Sequence, residues 1–421
     1  MLRSLPAGGD CLYHMQQQEL IPHLFRTEFS RITAVLCKHF GMEHIELAED
    51  IAGETFLAAL ETWPYKGIPE NPAAWLYTVA KNKAANHYSR LQTFRAKITP
   101  ALQQASSGGE IDIDLSDRNI TDSQLQMIFA ICHPAIPPEA QIGLALRILC
   151  GFGIDEIANA LLTNKETVNK RLYRAREKLR QEKVEITFPA PGEVNRRLET
   201  VLTTLYLLFN EGYYSESQGA VLREELCLEA MRLTYLLAGN ESTNLPPVNA
   251  LLSLMCFHAS RFPARKNDHG EIVLYHDQDE NLWNLELIGK GAYYLHRASG
   301  GDQLSKYHIE ATIAYWHTVK EDSAEKWENI LQLYNRLLTI AYSPIAALNR
   351  TFALSKTKGK PAAIAEAEKL ALTDNHYYHT LLGELYTGID NGKARIHLEA
   401  ASQLAKTEAD KSTIRRMLEG L

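Results

Sequence analysis

The sequence predicts an all-α protein built from several helical domains, and three observations carry that reading. Apolar residues recur at spacings of three and four through most of the chain. Proline, glycine and short polar clusters punctuate these periodic stretches where helices would start and stop. The one β-like run, Glu271 to Tyr275, is long enough only for one short β-hairpin. With 421 residues the chain suffices for roughly two to four domains with cores of their own. Apolar content of 45% and charged content of 23% suit an ordinary globular protein. A net charge of −7 excludes a protein that coats nucleic acid by bulk charge, so any DNA contact must come from local patches. The six cysteines, Cys11, Cys37, Cys132, Cys150, Cys227 and Cys256, form no C-x-x-C pair and read as reduced thiols. No apolar run reaches about eighteen residues, and MLRSLPAGGD lacks an apolar signal core. A cytoplasmic location is expected.

Leu20 to Tyr65 reads as two helices broken at Gly41. The first has Leu24, Ile32, Val35, Leu36 and Phe40 as its apolar face. The second has Leu47, Ile51, Phe56, Leu57 and Leu60, with Glu46, Glu49, Asp50 and Glu54 expected on its exposed side. It should end near Trp63-Pro64, because proline disfavours helix in the residue before it. Asn71 followed by Pro72 is a helix start. That helix carries Trp75, Leu76, Val79, Ala80 and Ala84 as a face. Basic residues and amides, Lys81, Asn82, Lys83, Asn86, Arg90 and Arg95 among them, interleave with Tyr77, Tyr88 and Phe94. Such a mixture suits phosphates and unstacked bases. On this segment alone, a plain surface helix with snorkelling lysines is the reading favoured.

Ile98 to Thr121, with Glu110, Asp112, Asp114 and Asp117, reads as a flexible acidic linker. Helices are expected from Asp122 to Cys132 and from Pro138 to Cys150. Ile154 to Leu161 and a basic helix ending at Arg180 then form a helix-turn-helix. Thr163 and Asn164 offer caps for the basic helix. Val168, Leu172, Ala175 and Leu179 give it an apolar stripe. From Lys165 to Arg180, seven basic residues stand against Glu166 and Glu177. On this segment alone, a DNA-reading helix-turn-helix and a plain helical hairpin with a solvated basic face both remain open.

Phe188-Pro189-Ala190-Pro191-Gly192 marks a domain boundary, and the chain beyond it is again helical in pattern. Its last part shows two hairpins. Ile345 to Lys356 pairs with Pro361 to Leu370, and His376 to Gly388 with Lys393 to Ala405. In the second, Tyr378, Leu381, Leu382 and Leu385 face Ala394, Leu398 and Ala401. Large residues on one helix against small ones on the next is tetratricopeptide-like packing. Stacked hairpins of this kind form concave surfaces for a protein or peptide partner.

Three ordered stretches, AEDIAGETFLAAL (48–60), NPAAWLYTVAKNKAANHYSR (71–90) and IDEIANALLTNKETVNKRLYRAREKLR (154–180), resemble the sigma-70 family of bacterial RNA polymerase factors in its extracytoplasmic-function (ECF) group. ICHPAIPPEAQIGLALRIL (131–149), LYLLFNEGYYS (205–215) and HDQDENLW (276–283) resemble the subgroup with a long tetratricopeptide-like C-terminal extension. The resemblance implies a region 2 domain at 15–97, the acidic linker at 98–121, a region 4 domain at 122–186 and a regulatory extension at 193–421, tetratricopeptide-like from about 344. It implies core RNA polymerase, through its β′ clamp and β subunits, and promoter DNA as partners, with no cofactor, no metal and no membrane.

By the same resemblance, Asp50, Glu54, Thr55 and Phe56 match the helix that docks on the β′ clamp. Trp75, Asn82, Asn86 and Arg90 match the region that melts and reads the −10 element. Lys165, Glu166, Thr167, Asn169, Lys170, Arg171 and Arg174 match the helix that enters the major groove at the −35 element. Asn86 departs from the family, where an aspartate is usual, as do Leu162 and Thr163 at the turn. A conventional helix-turn-helix regulator with a helical sensing domain would need neither 48–60 nor 71–90. An enzyme would need catalytic chemistry in clusters such as His276 to Glu280 or Asn210 to Tyr213. The former lacks metal-ligand or calcium-loop spacing, so a loop cap or hydrogen-bond network is expected. His376 and His379, three apart, read as ordinary helix residues rather than metal ligands.

Overall fold

A computed structural model describes residues 17–98, 113–161, 163–213, 223–265, 273, 277–301, 303–405 and 408–421. Among the described residues there are α-helices, short 3-10 turns and one π turn, and no strand. The expected β-hairpin at Glu271 to Tyr275 falls almost wholly outside the described residues. Val273, the one described residue of that run, donates its N–H to the Arg265 carbonyl at 2.9 Å. The chain divides into two compact units, Met1–Thr204 and Leu205–Leu421.

In the first unit, α1 (Gln17–Phe40) packs on α2 (Ile45–Lys66), α3 (Pro72–Ile98) and α4 (Asp117–Ile131). Gly41, at φ 88°, ends α1 in a conformation that side chains resist. Helix α2 runs past the expected stop and takes Pro64 into its last turn. It closes at Gly67, φ 82°, whose N–H meets the Trp63 carbonyl at 3.0 Å. Helix α4 begins earlier than the linker reading expected, because the Ser116 hydroxyl caps it by accepting from the Asn119 N–H. Just before it, Ile113 and Leu115 are buried, and Asp114 accepts from the Ser116 N–H at 2.8 Å and its hydroxyl at 3.0 Å. Those bonds hold the Asp114 carboxyl below its usual range. Glu110 and Asp112 lie outside the described residues.

Next come α5 (Pro138–Leu144), a π turn (Ala145–Leu149), α6 (Ile154–Ala160) and α7 (Lys165–Gln181). Helix α7 packs its stripe of Val168, Leu172, Ala175 and Leu179, all buried, against α5 and α6. Asn164 alone caps it, its side chain accepting from the Thr167 N–H at 2.8 Å. Thr163 instead closes α6 through its N–H to Ala158. Two residues of α2 read as exposed are not so. Glu49 is buried and Glu46 half-buried, because three arginines from beyond Ile131 meet them. Helix α8 (Val194–Tyr213) begins in this unit, where Arg197 donates to the Phe129 carbonyl and the Thr204 hydroxyl to Gln141.

The second unit is a succession of helices, each packed on a neighbour in sequence: α9 (Glu224–Gly239), α10 (Pro246–Ala259), α11 (Leu285–Ala298), α12 (Lys306–Trp316), α13 (Ala324–Ile340), α14 (Pro344–Lys358), α15 (Lys360–Leu370), α16 (His376–Tyr386), α17 (Asn391–Leu404) and α18 (Glu408–Glu419). Helix α10 is apolar on nearly all sides and is its core. Helices α14 to α17 fall where two hairpins were expected. In the second, a side chain at Gly383 would come within 2.6 Å of Leu398, so glycine is what lets α16 and α17 close up. The five described cysteines are free and buried, and burial raises the thiol pKa values of Cys37, Cys132, Cys227 and Cys256, that of Cys132 to about 12.

Candidate nucleic-acid and partner-binding surfaces

Helix α3 carries the first candidate set along one side. At about 100° per residue, Trp75, Asn82, Asn86 and Arg90 fall within an arc of about 80° and along about 22 Å of axis. Asn82, Asn86 and Arg90 are exposed. Trp75 is half-buried and packs edge-on against Trp63 with ring centroids 5.4 Å apart. Leu76, Ala80 and Ala84 are fully buried and fix the helix from its other side. Tyr77 ties it to α1 by donating its hydroxyl to Glu28, and burial beside that carboxylate pushes the phenol pKa up. This side of α3 therefore offers two amides, a cation and an aromatic edge to solvent. Those groups pair with base edges, phosphate and a base face respectively.

The partner-docking set on α2 separates into two kinds. Asp50 and Glu54 are exposed one turn apart. Lys83 donates to Glu54 at 2.9 Å and holds its carboxyl below the usual range. Thr55 and Phe56 are buried. The Thr55 hydroxyl donates to the Ile51 carbonyl at 2.7 Å, and Phe56 packs on Phe25 at 5.0 Å and on Phe29 at 6.5 Å. They hold the helix in place; the acids face outward. Leu57, Leu60 and Tyr65, more than half exposed, add apolar surface to α2. The residue spacing signals this for Leu57, one turn before the polar Glu61 on the same side of the helix, but not for Leu60, which lies about 100° away from Glu61.

Helix α7 exposes Lys165, Glu166, Asn169, Lys170 and Arg174, with Thr167 and Arg171 half-buried beside them. Lys165 pairs with Asp155 at 2.5 Å and Lys170 with Glu166 at 3.9 Å, both in solvent. Such exposed pairs are worth about 1 kcal/mol or less and yield readily to phosphate. Tyr173, 64% exposed between Lys170 and Arg174, joins this surface and was not singled out from sequence. The sequence-derived sets on α2, α3 and α7 all fall within the first unit.

In the second unit described members of the polar clusters make hydrogen bonds within the fold, and His276 lies outside the described residues. The Asp279 side chain caps a 3-10 turn by accepting from the Asn281 N–H at 2.9 Å. Gln278 donates to the Val273 carbonyl. Tyr213 is buried, accepts from Arg261 at 3.3 Å and lies under the Arg265 guanidinium at 3.9 Å. His379 meets the His397 ring nitrogen at 3.1 Å, and His376 faces Asp410 at 3.7 Å.

Comparison with known proteins matches three stretches of the chain to family models. Residues 24–94 match the family model described as Sigma-70 region 2, and residues 131–179 match Sigma-70, region 4. Residues 197–299 match a family of unknown function, DUF6596. An uncharacterised protein of Rhizobium meliloti (strain 1021) is 34% identical over 388 residues, 90% of each chain. The ECF RNA polymerase sigma factor BldN of Streptomyces coelicolor is 32% identical over 135 residues, 30% of this chain and 47% of that one. The ECF RNA polymerase sigma-E factor of Haemophilus influenzae is 24% identical over 153 residues, 35% of this chain and 79% of that one. No solved structure matches.

Proposed function

We propose how the work of promoter recognition is divided within this chain, which belongs to the sigma-70 family of RNA polymerase sigma factors, in its ECF type, and carries a C-terminal extension. It directs transcription initiation. In our reading, α7 enters the major groove at the −35 element with Lys165, Asn169, Lys170, Arg171 and Arg174, while Glu166 and Thr167 set its entry end. On α3, Asn82 and Asn86 take opened bases of the −10 element, Trp75 supports them and Arg90 holds phosphate. Asp50 and Glu54 meet a basic surface of core polymerase, the β′ clamp, while β contacts other parts of the factor. The polymerase supplies all catalysis, the factor works in the cytoplasm, and the extension sets when it acts, its hairpins offering a tetratricopeptide-like platform for a protein or peptide partner.

The observation that carries this reading is the exposure of α7. Its apolar stripe is fully spent on the core, yet Lys165, Asn169, Lys170 and Arg174 remain in solvent. Purified full-length chain should give start-site-specific transcripts with core polymerase and shift promoter DNA only with the polymerase present. Arg174→Ala should weaken promoter binding by about tenfold, the loss of one good base or phosphate contact. Tight duplex binding by the chain alone, insensitive to Arg174→Ala, would overturn the assignment.

A further inference from the structure

Two imidazoles meet across the α16–α17 hairpin. His379 lies on α16 and His397 on α17, both half-buried, with their Nδ1 atoms 3.1 Å apart. The His379 Nε2 stands 2.9 Å from the Thr373 carbonyl. A carbonyl only accepts, so that nitrogen carries the proton. In the neutral ring, Nδ1 then keeps its lone pair and accepts from His397. The His397 ring lies along Tyr386, with centroids 5.7 Å apart and 4° between the planes. The Tyr386 hydroxyl donates to Glu368 of α15 at 2.6 Å. The backbones beneath are in close contact, because Gly383, one turn after His379, packs on Leu398, the residue next to His397. In sequence His376 is the obvious companion of His379, but it turns to Asp410 of α18 at 3.7 Å.

We infer that His379 and His397 form a two-imidazole site for a first-row divalent metal ion, zinc or nickel, which ties α16 to α17. The inference goes beyond the promoter assignment and does not rest on it. At the observed 3.1 Å separation, a metal about 2.0–2.1 Å from each nitrogen subtends about 95–102°. That angle lies between the about 90° of an octahedral shell and the about 109° of a tetrahedral one, so the helices need not move. Each lone pair must swing about 40° off the line joining the nitrogens, which the broad χ2 range of an imidazole allows. The proton on His397 Nδ1 passes to its Nε2, leaving both ligands neutral as metal binding requires. A ligating imidazole ordinarily gives its other N–H to a carbonyl or carboxylate, and His379 already makes that bond to Thr373. Among the described residues no group of three His, Cys, Asp or Glu side chains could hold a metal ion, so water completes the shell. Imidazole nitrogens suit zinc and nickel, whereas magnesium and calcium take oxygen ligands.

The test uses the untagged full chain carrying Cys11→Ser, the other five cysteines being buried. Titration calorimetry with zinc sulfate, and separately with nickel sulfate, should show one equivalent bound, and magnesium chloride none. His397→Asn keeps an N–H for His379 but removes the ligating nitrogen, and should abolish that equivalent. His379→Gln should do the same, while His376→Gln should leave it intact. Helicity of each variant is followed by circular dichroism. If the variants fail to fold, hydrogen exchange of the chain with both histidines decides, because zinc should slow exchange in α16 and α17 above all. Absence of saturable binding by either metal, binding that survives in both folded variants, equal binding of magnesium, or zinc protection centred outside α16 and α17 would overturn the site.

Discussion

Glu310 of α12 gives the extension a pH-dependent stability whose sign and size can be worked out. Burial raises its pKa to about 7, against the opposing charge of Lys306 and the Tyr206 hydroxyl, which donates at 3.3 Å. In the unfolded chain the group titrates near 4.5. Between those values the folded state holds a proton that the unfolded state has lost. Stability is therefore full below about pH 4.5 and falls as pH rises toward 7. At about 1.4 kcal/mol per unit, the shift of about 2.5 units is a ceiling of about 3 kcal/mol. The side chain keeps some solvent contact, so about 1–3 kcal/mol is expected. Glu310→Gln is neutral at every pH and retains an acceptor for Tyr206. Urea unfolding of the full chain, followed by fluorescence of Trp283, Trp316 and Trp327, should show the variant more stable than wild type at pH 8.5 and nearly equal at pH 5. Equal stability at pH 8.5, or a variant that gains at pH 5 instead, would refute the reasoning.

Gly383→Ala places a methyl within 2.6 Å of Leu398 and should cost about 1–3 kcal/mol in the same unfolding assay, whereas an alanine at exposed Gly192, with nothing within 4 Å, should cost far less. Asn164→Ala removes the cap of α7 and should cost about 1 kcal/mol, read as faster hydrogen exchange in the first turn of that helix.

Much of the fold was legible because apolar spacing and end signals agreed. The α7 stripe, the Gly41 break and the Pro72 start all came out of local chemistry, and so did the places of the C-terminal hairpins. Two element ends turned on short-range bonds that apolar spacing does not reveal. Ser116 looked like linker, yet it caps α4. Pro64 looked like a stop, yet the last turn of a helix tolerates it, because Gly67 supplies the closing bond. Of the candidate site, Asp50, Asn82, Asn86, Arg90, Lys170 and Arg174 stand in solvent as a binding surface requires, while Thr55 and Phe56 serve the core. Burial of that pair was readable from phase, since Phe56 lies one turn from Ala52 and Ala59 on the same side of the helix.

The same phase argument applies to charges, and there it points to a buried ion pair between α2 and α7. Glu49 stands four residues after Ile45 and three before Ala52, both fully buried, so helical geometry aims it at the core. Arg176 stands four after Leu172 and three before Leu179 on α7, in the same relation to buried residues. A carboxylate and a guanidinium each at a core position cannot be stable apart, because either one alone carries a desolvation cost that apolar neighbours do not offset. Two such misplaced charges of opposite sign in one chain imply that they meet, and the structure joins them at 2.9 Å.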